Sequence, residues 1–292
     1  MSDTSSSAKP KLVFVHGAWH GPWSWDLFVE FFTAAGWTCD RVTLAGHDGG
    51  PQPDDFNTYE IERYTHSIEE VTGGDANVVL IGHSMGGLTI QHYLGQHETR
   101  GAVFVAGVPY YGIPWNGVLL TILSQSPLKT ISMLRRGRRF ETAAEVRDHF
   151  YLPNTPAELI EKNFARMVPE SAAALRRLSL KGKFAGDPPA PLGNPPRLVL
   201  AAGHDHFLSP PYMEEFARTY GSDFEVFLDM PHNLMDAPGW RRWPKRSPSG
   251  SPKASCVLEF CGFVPRRVFV YNRCIMNLGS PAYKEVKHAN SQ

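Results

Sequence analysis

The chain has 292 residues, of which 42% are hydrophobic and 12% aromatic, with 29 Lys plus Arg balanced by 29 Asp plus Glu. A chain of this size and apolar content can bury one large core, and its formal net charge of zero gives no reason to expect a nucleic acid or charged polymer as partner. The polar start MSDTSSSAKP and the short apolar runs after it lack the length of a secretory signal or a membrane span, so no membrane partner is expected.

Short runs rich in Val and Leu recur along the chain: LVFV at 12–15, CDRVTL at 39–44, VVLI at 78–81, AVFVA at 102–106, LVLAA at 198–202 and FEVFL at 224–228. Most are continuous rather than alternating, as strands buried on both faces should be. Helical patterns at 23–35, 59–71, 86–97 and 210–220 alternate with them. That alternation predicts an α/β fold with a mostly parallel sheet of about six strands covered by helices. Between Ala106 and Leu198 the rhythm breaks, and SMLRRGRRF, AAEVRDHF, PAELIEKNFARM and ESAAALRRL read as helices of a cap inserted at about 110–190. Five prolines between Pro188 and Pro196 exclude helix where the chain returns to the sheet.

Residues 1–240 hold 19 basic and 27 acidic side chains, whereas 241–292 hold 10 basic and 2 acidic. Three of the four cysteines, Cys256, Cys261 and Cys274, also lie in that last stretch, and Cys39 stands alone in the body. One cysteine cannot build a disulfide framework, so the body reads as a reduced, cytoplasmic protein. The stretch RRWPKRSPSGSPKASC is too dense in Pro and Ser for a helix. The expected organisation is a disordered 1–10, a folded domain over 11–240 and an atypical basic tail over 241–292 that is not part of the fold.

Chemistry concentrates in Gly82-His83-Ser84-Met85-Gly86, between a buried strand and a helical pattern. A sharp strand-to-helix turn lifts the Ser84 hydroxyl above the sheet and needs small residues two positions to either side. The Met85 N–H then stands at the positive end of the helix, where it can receive a developing oxyanion. A serine hydroxyl needs a base within reach, itself oriented by an acid. His232 follows the last strand and Asp205 the one before it, 27 residues earlier. Asp229 is a rival acid, but on a strand three residues before His232 it should point away from the loop. His204 and His206 flank Asp205 without the spacing of a ligand set, so no metal is expected. After the first strand, His16-Gly17-Ala18-Trp19 can turn the Ala18 N–H toward the same point as a second oxyanion donor.

Taken together, HGAWHGPWSW, GHSMGG, the Gly203–Asp205 loop and HNLMDAPGW resemble the α/β-hydrolase superfamily over residues 11–240. The opening motif is similar to that of plant methylesterases, the related hydroxynitrile lyases and small bacterial and fungal carboxylesterases. The resemblance implies an α/β-hydrolase fold and a serine hydrolase that cleaves a carboxylic ester or thioester without a cofactor, through Ser84, His232 and Asp205. The lyases usually carry a threonine at Gly17 and a lysine at Asn233, and both departures count against cyanohydrin chemistry. Cofactor-free haloperoxidase activity and a ligand-binding receptor on the same fold are the alternatives. Aromatic residues in the loops, Trp19, Tyr110 and Phe207 foremost, suit a small apolar ester, or else close the core beneath the cap.

Overall fold

Six parallel strands form one sheet: Lys11–Val15 (β1), Cys39–Val42 (β2), Val78–His83 (β3), Gly101–Val105 (β4), Arg197–His204 (β5) and Asp223–Pro231 (β6). Their order is β2-β1-β3-β4-β5-β6, and every neighbouring pair is parallel. The structure is a computed structural model that describes residues 9–114, 131, 132, 135, 137, 140–181 and 188–240. The expected tail over 241–292, nearly all of the N-terminal segment and much of the SMLRRGRRF pattern lie outside the described residues.

All six residues of β3 and all five of β4 are buried, which is why these segments read as unbroken apolar runs. Burial of each Val, Leu, Ile or Phe there contributes about 1.5–3 kcal/mol relative to exposure. β5 and β6 run on past the apolar stretches to His204 and Pro231. In β6, an edge strand, Leu228 and Asp229 are exposed, and the polar Asp229 ends the apolar run before the buried Met230 and Pro231.

The helices are Asp26–Ala34 (α1), Ile61–Thr72 (α2), Met85–Leu94 (α3), Ala143–Phe150 (α4), Ala157–Arg166 (α5), Ala172–Arg176 (α6) and Pro210–Thr219 (α7). A 3-10 turn, Pro22–Trp25, leads into α1. Gly73, at φ 61°, ends α2 in the left-handed conformation that closes a helix. Every residue of helix α3 is buried. Its polar side chains are absorbed internally: Thr89 donates to the Met85 carbonyl, and the Gln91 amide to the carbonyls of Gly87 and Val108. Helices α4 to α6 occupy the long interval between β4 and β5, where the cap is expected. Thr142 caps α4 by accepting from the Glu145 N–H at 3.2 Å, and Ser171 caps α6 by accepting from those of Ala173 and Ala174.

The strand order reverses between β1 and β3, so the loops leaving their C-terminal ends part in opposite directions. Such a switch point opens a crevice above the sheet, and it is where α/β sheets place their ligands. Both Gly17 and Ser84 lie at this switch point.

Candidate active site

Ser84 stands at the end of β3 with φ 50° and ψ −120°, a strained conformation for a residue with a side chain. The turn is held by the Ser84 N–H donating to the Val105 carbonyl at 3.2 Å, and by its own carbonyl accepting from Gly87 and Val108. A Cβ on Gly82 would come within 2.5 Å of Ile90, and one on Gly86 within 2.5 Å of the Val15 carbonyl oxygen. Only glycine lets strand, turn and helix close this tightly, as the motif requires. Across the crevice Gly17 approaches as closely, since a Cβ there would lie 2.9 Å from Ser84 Cβ.

The amides of Ala18 and Met85 have no acceptor among the described residues. Met85 is the first residue of α3, where backbone N–H groups have no partner within the helix. Ala18 and Trp19 form the corner of a tight turn in which the His20 N–H donates to the Gly17 carbonyl at 3.3 Å. Trp19 sits at φ 62° there, at a cost of about 1–3 kcal/mol that its surroundings must sustain.

Asp205 and His232 are brought together. His232 Nδ1 donates to Asp205 Oδ2 at 2.7 Å, with both side chains buried. The other carboxylate oxygen, Oδ1, accepts from the N–H groups of Phe207 and Leu208 at 2.7 and 3.0 Å, which fixes the plane of the acid. A proton on Nδ1 leaves the other ring nitrogen, Nε2, as the basic position, and it has no protein partner among the described residues. The imidazole is clamped against the Ser84 turn, with its ring centroid 4.7 Å from that of His83. His83 Nε2 donates to the His232 carbonyl at 3.1 Å. Asp229, the rival acid, is exposed on β6, and so are His204 and His206 beside Asp205.

Phe207 packs on the His232 ring at 4.8 Å, and Phe150, from the end of α4, at 5.8 Å. Trp19 joins this aromatic wall through Phe150 at 6.3 Å and Phe140 at 5.2 Å. Tyr110 packs apart from this wall: its ring lies on His92 of α3 at 5.0 Å and beneath the Arg177 guanidinium. The Tyr110 N–H donates to the Gln91 side chain, which turns the residue toward α3.

Around this centre three further imidazoles are neutral. Burial lowers the pKa of His16 and His83 well below the ordinary value, aided by His47 and His232 respectively, and takes that of His20 to about 4. His16 Nδ1 donates to the Gly17 carbonyl and its Nε2 accepts from the Leu44 N–H, an arrangement that needs a single ring proton. His47 differs. Its Nε2 meets Glu170 at 2.9 Å and its Nδ1 the Ala45 carbonyl at 3.2 Å, so both nitrogens face acceptors. Burial opposes the charge of His47, but the Glu170 carboxylate more than offsets it and the pKa is raised. Glu170 also accepts from the Tyr64 hydroxyl and the Ser171 N–H.

The sequence reading missed Phe150, Glu170 and Asn233. Phe150 and Glu170 belong to the cap interval and meet the site only through tertiary packing. Asn233, directly after His232, carried a usable signal, because an amide at a fully buried position must find partners.

Residues 12–240 match the family model described as "Alpha/beta hydrolase family". The chain belongs to that family. A rice (Oryza sativa subsp. japonica) protein, Esterase PIR7B, is 32% identical over 111 residues, which cover 36% of this chain and 41% of that one. Methylesterase 3 of Arabidopsis thaliana is 33% identical over 102 residues, covering 33% and 38%. The chain therefore spans about two fifths of the length of these curated relatives. The crystal structure of the methylesterase MES16 from Arabidopsis superposes with a TM-score of 0.58 at 21% identity, covering 80% of this chain and 94% of that one. The chain is thus an α/β-hydrolase family member that, over about a third of its length, is similar to plant proteins named esterases.

Proposed function

We propose that this protein is a serine carboxylesterase in which Ser84 is the nucleophile, His232 the general base and Asp205 the group that orients it. The reading is carried by the buried Asp205–His232 pair, which presents a basic Nε2 beside the Ser84 turn. His232 Nε2 takes the hydroxyl proton as Ser84 Oγ bonds to the ester carbonyl carbon. The amides of Ala18 and Met85 receive the oxyanion. Collapse of the tetrahedral species breaks the bond to the alcohol, which leaves with the proton from the imidazolium, and water then releases the acid from the acyl-enzyme by the same steps. Both relatives named above carry esterase names, which supports this chemistry.

The substrate is a small neutral ester with an apolar portion. Trp19, Phe150 and Phe207 offer aromatic surface beside the base, and His16, His20 and His83 are uncharged there. Incubation with p-nitrophenyl butyrate and with a fluorophosphonate probe tests the reading. Hydrolysis and labelling are both expected, and both disappear in Ser84→Ala. Folded wild-type protein that takes no label at Ser84 overturns the esterase and favours a ligand-binding receptor on the same fold.

A further inference from the structure

Next to His232, the Asn233 side chain is completely buried and its amide nitrogen faces two partners, His20 Nε2 at 3.1 Å and the Tyr151 hydroxyl at 3.0 Å. On the far side of its ring, His20 Nδ1 lies 2.8 Å from the Ala18 carbonyl oxygen. A carbonyl can only accept, so Nδ1 carries the ring proton. The ring is neutral, because burial takes the His20 pKa to about 4, and Nε2 is therefore a lone pair. Only the NH2 of Asn233 can face it: the opposite amide orientation would set oxygen against lone pair. The Tyr151 proton is already committed to Asp236 Oδ2 at 2.9 Å, so Tyr151 too accepts from Asn233. Every donor is thereby assigned, and the chain runs in one direction, from Asn233 through His20 to Ala18.

We propose that Asn233 and His20 are positioning residues for the oxyanion loop, relaying a hydrogen bond from the loop of the catalytic histidine to the Ala18 backbone. The inference rests on the esterase reading above. What the relay holds is the central peptide of the Gly17–His20 turn. With Trp19 at φ 62°, that peptide has the orientation a turn normally reserves for glycine in the third position. The His20 bond anchors the Ala18 carbonyl; without it the Ala18–Trp19 peptide can turn over to relieve Trp19, and the Ala18 residue, whose N–H lies on the preceding peptide, loses the tie that holds it in the turn. At its other end the relay is rigid. The Asn233 N–H donates to the Phe150 carbonyl at 3.1 Å, and the Asn163 amide donates to Tyr151 and Asp236 at 2.7 and 2.6 Å. One hydrogen-bonded line thus joins cap, base and oxyanion loop.

The test compares wild type with Asn233→Leu, His20→Phe and the double variant, measuring kcat and KM for p-nitrophenyl butyrate, the rate of labelling by a fluorophosphonate and thermal stability. Losing an oxyanion donor outright typically costs about 10²–10³ in kcat, and a displaced donor should cost somewhat less. Each single variant is expected to lose about tenfold to a hundredfold in kcat and in labelling rate, with KM within about twofold, and the double variant to lose no more than the worse single. Losses that multiply in the double variant, or folded singles with unchanged kcat, overturn the relay while leaving the esterase intact. If Asn233→Leu does not fold, Asn233→Ser, whose hydroxyl falls short of His20, reads the same expectation. A wild-type protein inert to both reagents removes the esterase reading and the relay together.

Discussion

Two buried histidine–carboxylate pairs stand among the described residues, and they differ at a single ring nitrogen. In the Asp205–His232 pair, one nitrogen donates to the acid and the other has no partner among the described residues. In the His47–Glu170 pair, the second nitrogen faces the Ala45 carbonyl, so the ring is doubly engaged and its charge is favoured. The first pair leaves one ring nitrogen open, as the proposed base requires, and the second ties the loop after β2 to the segment before α6. Proximity of a carboxylate to an imidazole therefore does not make a base. The vacant nitrogen does.

The largest expected effect breaks the first pair. Asp205→Asn should lower kcat for p-nitrophenyl butyrate by about 10³–10⁴-fold with little change in KM, because the amide no longer selects the Nδ1–H form of His232. A fall of less than tenfold would mean that another group orients the ring. Next comes the second pair. Glu170→Ala leaves His47 and Tyr64 without their acceptor and should cost about 3–5 kcal/mol in urea unfolding, while kcat of the folded fraction changes by less than about threefold. Since the folded pKa of His47 is raised, the folded state holds a proton that the unfolded state releases near pH 6.5, the ordinary histidine value. The stability it contributes is therefore complete below that pH and fades as pH rises through the folded value, a loss that Glu170→Ala should not show.

A smaller effect belongs to Asp236, four residues after His232, whose carboxyl burial pushes from 3.8 up to about 7. Between those two values the unfolded state has given up a proton that the folded state keeps, so stability declines as pH rises from about 4 to 7. Asp236→Asn should flatten that decline, worth on the order of a few kcal/mol, in melts taken across the range. An unchanged slope would place the titration elsewhere.

How far the sequence could be read follows from where each residue finds its partners. Ser84, Asp205 and His232 each follow a strand directly, and the Gly82 and Gly86 spacing encodes the turn at Ser84, so local pattern was enough to single these residues out. The ends of β5 and β6 were cut short because the apolar runs stop at Gly203-His204 and at Asp229, while the strands continue past them. The packing of Tyr110 on His92 could not be read from its place after β4, which says nothing of where its ring lies. Glu170 and His47 lie 123 residues apart, and no spacing rule links them. Phe150 looks like any buried position on an amphipathic helix until the fold sets it against the imidazole.

His83 gives the nucleophile turn a second duty. Its side chain grips the main chain of residue 232, while the next residue along supplies the hydroxyl. In the proposed esterase, the residue beside the Ser84 hydroxyl thus ties the turn of the nucleophile to the loop of its base. Under that reading, replacing this ring would keep the Ser84 and His232 side chains but remove a bond that sets the spacing of their two loops, so the turn carries its own ruler.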